Sequence, residues 1–180
     1  MKPHIFAGFV AMFIGLVWLS GILVLLFVNP TAGGVLPPAA IRGGAAGGPT
    51  EVMGGAGKTV EITLFGGELD SFYGFGLKKD QLATPGPTIR VKVGTTVKIV
   101  FTNVGTNPHT LKVMGGNQPS DDPTVPVAFA GAMIEGRVDP EGGTASLTFT
   151  VDKPGKFWYA CVVPGHIQRG MFGTLEVVQG

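Results

Sequence analysis

The chain has 180 residues, with 13 basic and 12 acidic side chains and a formal net charge of +1, so it has neither the basic footprint of a nucleic-acid binder nor an acidic tail. Its single cysteine excludes an intramolecular disulfide. With 30 glycines and 14 prolines the chain must turn often, which suits one all-β domain with linkers better than a helical one.

Residues 1–28 read as a transmembrane anchor. The run from Ile5 to Val28 is uncharged and apolar throughout. As a helix rising about 1.5 Å per residue it reaches about 36 Å, enough to cross a hydrocarbon core of about 30 Å. A cleaved secretory signal would have an apolar region of only about 7–15 residues, and a lipoprotein signal would need a cysteine just after the run. Lys2 precedes the run and the next basic residue is Arg42. The positive-inside rule therefore places the N-terminus in the cytoplasm and the rest of the chain on the extracytoplasmic side of the cell membrane, single-pass. Residues 29–58, with Gly43-Gly-Ala-Ala-Gly-Gly-Pro49, have almost no apolar period and read as a flexible tether. For Val52 and Met53 an arm lying on the domain stays open as the alternative.

From residue 59 to 180 the pattern changes to period two. Thr59–Phe65 alternates as a strand does, and Gly66-Gly67 is expected to end it. Ser71–Phe75 is a candidate second strand. Thr88–Val93, Thr96–Thr102, His109–Val113 and Thr144–Val151 follow, with a long excursion of no clear period from Met114 to Gly143. Lys156–Cys161 and Gly173–Val178 are the last strands. Seven or eight short strands in about 120 residues point to an antiparallel β-sandwich.

The last two strands flank the run Cys161-Val-Val-Pro-Gly-His166-Ile-Gln-Arg-Gly-Met171. It offers a thiolate, an imidazole and a thioether at intervals of five residues. Singly, a cysteine or methionine is more often core filler, and a histidine is more often hydrogen-bonded than ligating. Jointly, in one loop held by strands at both ends, they form the mixture that copper prefers: soft sulfur for Cu(I), imidazole for Cu(II). A second imidazole must come from elsewhere. The chain has three histidines, His4, His109 and His166, and His4 lies before the apolar run, which leaves His109.

These residues bring a resemblance with them. Pro85-Gly-Pro-Thr-Ile-Arg-Val91, followed by Gly94 and Thr96-Val-Lys-Ile-Val-Phe-Thr-Asn103, resembles the early strands of cupredoxins and their multicopper relatives. Pro108-His109-Thr110 resembles the site of the first copper histidine. Trp158-Tyr-Ala-Cys161 through His166 to Met171-Phe-Gly173 is similar to the ligand loop of the rusticyanin and sulfocyanin families, and the anchor favours sulfocyanin. The resemblance spans about Thr59 to Val178. It implies a Greek-key antiparallel β-sandwich holding one type 1 copper ion between His109, Cys161, His166 and a weak axial Met171. It further implies a one-electron carrier with no small-molecule substrate, working in a respiratory chain beside a membrane cytochrome or terminal oxidase. In many cupredoxins an asparagine follows the first histidine and bonds around the cysteine sulfur; Thr110 stands there instead. The edge of His166 is expected to reach the surface through an apolar patch that includes Ile167 and Phe172.

Other copper proteins fit less well. A nitrite reductase or multicopper oxidase needs further histidine clusters, for which only His4 remains. A binuclear oxidase-subunit site needs a second cysteine four residues after the first, where Gly165 stands. A chaperone or storage protein would present many sulfur ligands, and beyond residue 28 there are only Met53, Met114, Met133, Met171 and Cys161.

Overall fold

The computed structural model describes residues 53–180. The expected anchor, residues 1–28, and the expected tether before Met53 lie outside the described residues. The described chain forms β1 (Thr59–Leu69), β2 (Phe72–Gly76), β3 (Ile89–Lys92), β4 (Thr96–Asn103), β5 (Lys112–Met114), β6 (Thr144–Thr150), β7 (Gly155–Ala160) and β8 (Phe172–Val178). They make two four-stranded sheets, β2-β1-β4-β6 and β3-β8-β7-β5.

The sheets are mixed, which corrects the antiparallel expectation. β1 runs parallel to β4, and β3 runs parallel to β8. Between β1 and β4 the chain crosses to the other sheet to lay down β3 and then returns, so β4 arrives beside β1 pointing the same way. Period-two alternation says which face of a strand is buried; it carries no information on the direction of the neighbour.

Two further boundaries differ from expectation. β1 does not stop at Gly66-Gly67 but runs on to Leu69, paired with β2 through Gly66↔Phe75 and Gly67↔Gly74. A side chain at Gly66 would meet Phe101 at 2.6 Å and the Met171 methyl at 2.9 Å, so this glycine makes room for core side chains rather than a turn. His109 is not the first residue of a continuous strand. It forms an isolated bridge with Val138, and β5 begins only at Lys112. Residues 53–58, counted with the tether on composition, are tied to the sheet: Met53 donates to Arg90 O and accepts from Lys92 N, both at 3.0 Å, and Gly55 N donates to Thr95 Oγ1 at 2.8 Å.

The core lies between the sheets. On β4 the buried positions alternate, Val97, Ile99, Phe101 and Asn103. They meet Leu64, Ile89, Val91, Leu147, Phe149, Tyr159 and Leu175 from both sheets. Asn103 is the polar end of that row, and its amide is fully used: Nδ2 donates to Asn107 O and Val138 O, and Oδ1 accepts from Gly105 N. It therefore costs little to bury and fixes the turn that leads to His109. The excursion after β5 doubles back along that strand through Met114↔Val127, Lys112↔Met133 and His109↔Val138. It sends Phe129, Ala132, Ile134 and Val138 into the core. Its lack of period reflects these single inward steps from an irregular path.

Candidate metal centre

Each site residue is held by a different local device. His109 follows the turn 103–108. Cys161 follows directly on β7, and Met171 directly precedes β8. Cys161 N donates to Met171 O at 3.1 Å, so the two ends of the ligand loop are closed by the sheet ladder itself. Inside the loop His166 N bonds Val163 O, Met171 N bonds His166 O, and Gly170 N bonds Ile167 O. Gly165 and Gly170 take φ of +84° and +92°, a conformation that favours glycine and lets the loop wind this tightly. Asp121, in the excursion after β5, clasps the loop: its Oδ2 accepts from Gly165 N and Gln168 Nε2, both at 3.2 Å.

These devices bring three donor atoms together. The Nδ1 atoms of His109 and His166 are 3.1 Å apart. Cys161 Sγ is 3.4 Å from Nδ1 of His166 and 3.8 Å from Nδ1 of His109. A point equidistant from the three corners of that triangle lies about 2.0 Å from each. Metal–imidazole and metal–thiolate bonds of about 2.0–2.3 Å fit that space. Met171 lies at the closing end of the loop, as fully buried as Cys161 and His109, with its methyl beside Gly66. His166 is the most exposed of the four at 9%. The donor chemistry fits copper: two imidazoles and a thiolate meet in a buried triangle, and the buried thioether of Met171 stands at the closing end of the same loop.

The protonation states suit a metal. Burial, with the neighbouring His166, lowers the pKa of His109 from 6.5 to about 4. Burial, and after it the Arg169 charge, also lowers that of His166. Both rings are thus neutral donors near neutral pH. Burial raises the Cys161 thiol, although backbone N–H groups of Thr110 and Val163 act against it, so the thiol ionises only as metal binds. At Thr110 it is the backbone N–H that reaches Cys161 Sγ, at 3.4 Å, so an asparagine side chain is not needed for that bond.

Two partners of the site carried no sequence signal. Tyr73 on β2 stands edge-on to His166 and to His109, with ring centroids 4.4 and 5.6 Å away. Its hydroxyl accepts from Arg169 of the ligand loop at 3.0 Å. Glu68, near the end of β1, approaches Nε2 of His109 at 3.6 Å. Burial alone would raise its pKa, but donation from the Asn107 side chain and the Thr106 and Asn107 backbones outweighs that and holds it low. β1 and β2 are far in sequence from the ligands, and nothing local marks these side chains. Of the two residues expected in the apolar patch, Phe172 is half-buried and Ile167 is buried. Ile167 is 8% exposed and sits in a small cluster with Met114 and Ala160, against Trp158, Val162 and Phe172. The exposed residues of the loop are Pro164, Gly165, Gln168 and Arg169.

The comparisons agree with this geometry. Residues 81–180 match the multicopper oxidase family model, more than half of the chain, and the chain belongs to that family of cupredoxin domains. A reduced rusticyanin is 25% identical with a TM-score of 0.51, over 71% of this chain and 83% of that one. Rusticyanin from Thiobacillus ferrooxidans is 26% identical with a TM-score of 0.53, over 71% and 80%. A copper nitrite reductase from Nitrosomonas europaea is 28% identical with a TM-score of 0.50, over 68% of this chain but only 42% of that one. No protein of curated function matches in sequence. The chain is a rusticyanin-like cupredoxin, its cofactor is one copper ion, and His109, Cys161 and His166 bring three donor atoms together where that ion would sit.

Proposed function

We propose that this chain is a mononuclear blue copper protein that carries single electrons, not an enzyme. The observation that supports it most is the buried triangle of two Nδ1 atoms and one Sγ, backed by Met171. Bound copper supplies a one-electron couple between Cu(I) and Cu(II), and this donor set leaves it no open position for a substrate. The chain's own residues do the rest. Asp121 and the ladder bond between Cys161 and Met171 keep the ligand loop in place, so little reorganises when one charge is gained or lost. Tyr73 and the core exclude water. His166, the ligand nearest the surface, is where electrons enter and leave.

Membrane anchoring by residues 1–28, an extracytoplasmic domain, and a membrane cytochrome or terminal oxidase as redox partner complete the proposal. They rest on the apolar run from Ile5 to Val28 and the Lys2 asymmetry. The family match favours one other reading, a fragment of a copper enzyme. A second copper centre would need histidines that residues 29–180 do not possess beyond His109 and His166.

One experiment separates these readings. The copper-free protein is titrated with Cu(II), and its visible spectrum and reversible one-electron chemistry are recorded beside turnover of nitrite and oxygen. One equivalent should give an intense thiolate-to-copper band that Cys161→Ser abolishes, without turnover. Uptake of zinc alone, a colourless copper adduct, or sustained reduction of nitrite or oxygen would overturn the assignment. Retention of the full chain in membranes after high-salt washing tests the anchor.

A further inference from the structure

Nε2 of His109 is fully buried and has no hydrogen-bond partner. A buried donor in that state costs free energy, and it faces a carboxylate: Glu68 Oε1 is 3.6 Å away. The carboxylate is held from behind. Oε2 accepts from Thr106 N at 2.8 Å, and Oε1 accepts from Asn107 N at 2.8 Å and Asn107 Nδ2 at 2.6 Å. All three donors belong to the turn that delivers His109. A side chain at Gly105 would strike Glu68, so the glycine there keeps the place open for it.

The tautomer follows from the site. With Nδ1 of His109 turned to Cys161 and His166, a metal bound there leaves the proton on Nε2, the atom that faces Glu68. A metal-ligating imidazole whose other nitrogen donates to a carboxylate is held in orientation and made a stronger donor. His166 has no such partner: no carboxylate oxygen lies within salt-bridge distance of its ring among the described residues.

We propose that Glu68 is the positioning carboxylate of the copper site, which orients His109 through Nε2–H and lowers the reduction potential by favouring Cu(II) over Cu(I). The inference rests on the blue-copper reading above and adds to it a residue that touches no metal. The extra positive charge of Cu(II) is stabilised by a negative group placed behind one of its ligands. The two imidazoles are therefore unequal: His109 is the buried, charge-backed ligand and His166 the exposed one.

The test is the reduction potential of Glu68→Gln and Glu68→Asp beside the native protein, each loaded with one copper. Glutamine is of the same size but uncharged. It should weaken Cu(II) binding about tenfold more than Cu(I) binding, which raises the potential by about 59 mV for one electron. Aspartate keeps the charge but shortens the reach to Thr106 and Asn107. It should move the potential by less than half as much. A native potential in Glu68→Gln, or an equal shift in both variants, would mean that Glu68 only pins the turn and would overturn the proposal. A native protein that takes up no copper, or takes it up without colour, would instead sink the underlying reading. Should Glu68→Gln not fold, the proton spectrum of the native Cu(I) form decides. The Nε2–H of His109 should resonate well downfield of that of His166, and equal shifts would overturn the proposal.

Discussion

Lowering the pH should destabilise the copper-free protein through His109, and the copper-loaded protein at least as steeply. In the folded protein burial and His166 lower the pKa of His109 from 6.5 to about 4. Its folded pKa is below its unfolded value, so the unfolded chain binds the proton first as the pH falls. Stability is therefore complete above about pH 6.5, declines through the window, and has been lost by about pH 4. At about 1.4 kcal/mol per pH unit across that gap, the loss comes to about 3 kcal/mol, a large share of a typical domain stability of about 5–15 kcal/mol. In urea, with a slope of about 1–3 kcal/mol/M, the midpoint should fall by about 1–3 M. The assay is equilibrium urea unfolding at half-unit steps from pH 7.5 to 4, with and without copper, for native protein and His109→Gln. Copper on Nδ1 would keep His109 from taking a proton while the protein is folded, so the loaded protein should start more stable and lose stability at least as steeply over the window. The His109→Gln protein should have a much shallower slope without copper, the remainder coming from His166, whose pKa is also lowered. An unchanged slope in His109→Gln would refute the reasoning and place the acid lability elsewhere.

Other outcomes follow from the same geometry. Copper(II) uptake at pH 7 should release about one proton per ion, from the Cys161 thiol and not from the already neutral imidazoles; an indicator dye in weak buffer measures it, and zero or two would contradict these states. Gly66→Ala would put a methyl 2.6 Å from Phe101 and 2.9 Å from the Met171 methyl. It should cost about 1–3 kcal/mol by overpacking and change the visible spectrum through Met171. An altered stability with a native spectrum would detach Gly66 from the site. Met171→Gln should keep copper bound and lower the potential, since a harder donor favours Cu(II); an unchanged potential would remove Met171 from the donor set. Tyr159→Phe should lose about 1–2 kcal/mol, because the Tyr159 hydroxyl donates to Pro87 O inside the core and the carbonyl would be left without that partner.

The sequence by itself determined the metal chemistry and most of the strands. Ligand identity is written in residue type, and Cys161, His166 and Met171 lie in one loop, where spacing limits what they can reach. His109 followed by elimination, since only three histidines exist. Strands such as Thr96–Asn103 were legible because one face is buried and the other wet, and that alternation is local. The tertiary structure decided what depends on residues far apart in the chain. The parallel pairings of β1 with β4 and β3 with β8 arise from crossovers between sheets, which no local pattern records. Gly66 reads as a breaker until Phe101 and Met171 are seen to fill its missing side chain. Ile167 reads as exposed because its loop is, yet a second cluster buries it. Glu68, Tyr73 and Asp121 come from β1, β2 and the excursion after β5, each at least 38 positions from the ligand-loop or turn residue it bonds. Their roles come from distance in space and from charge in a buried setting, and neither exists until the chain has closed on itself.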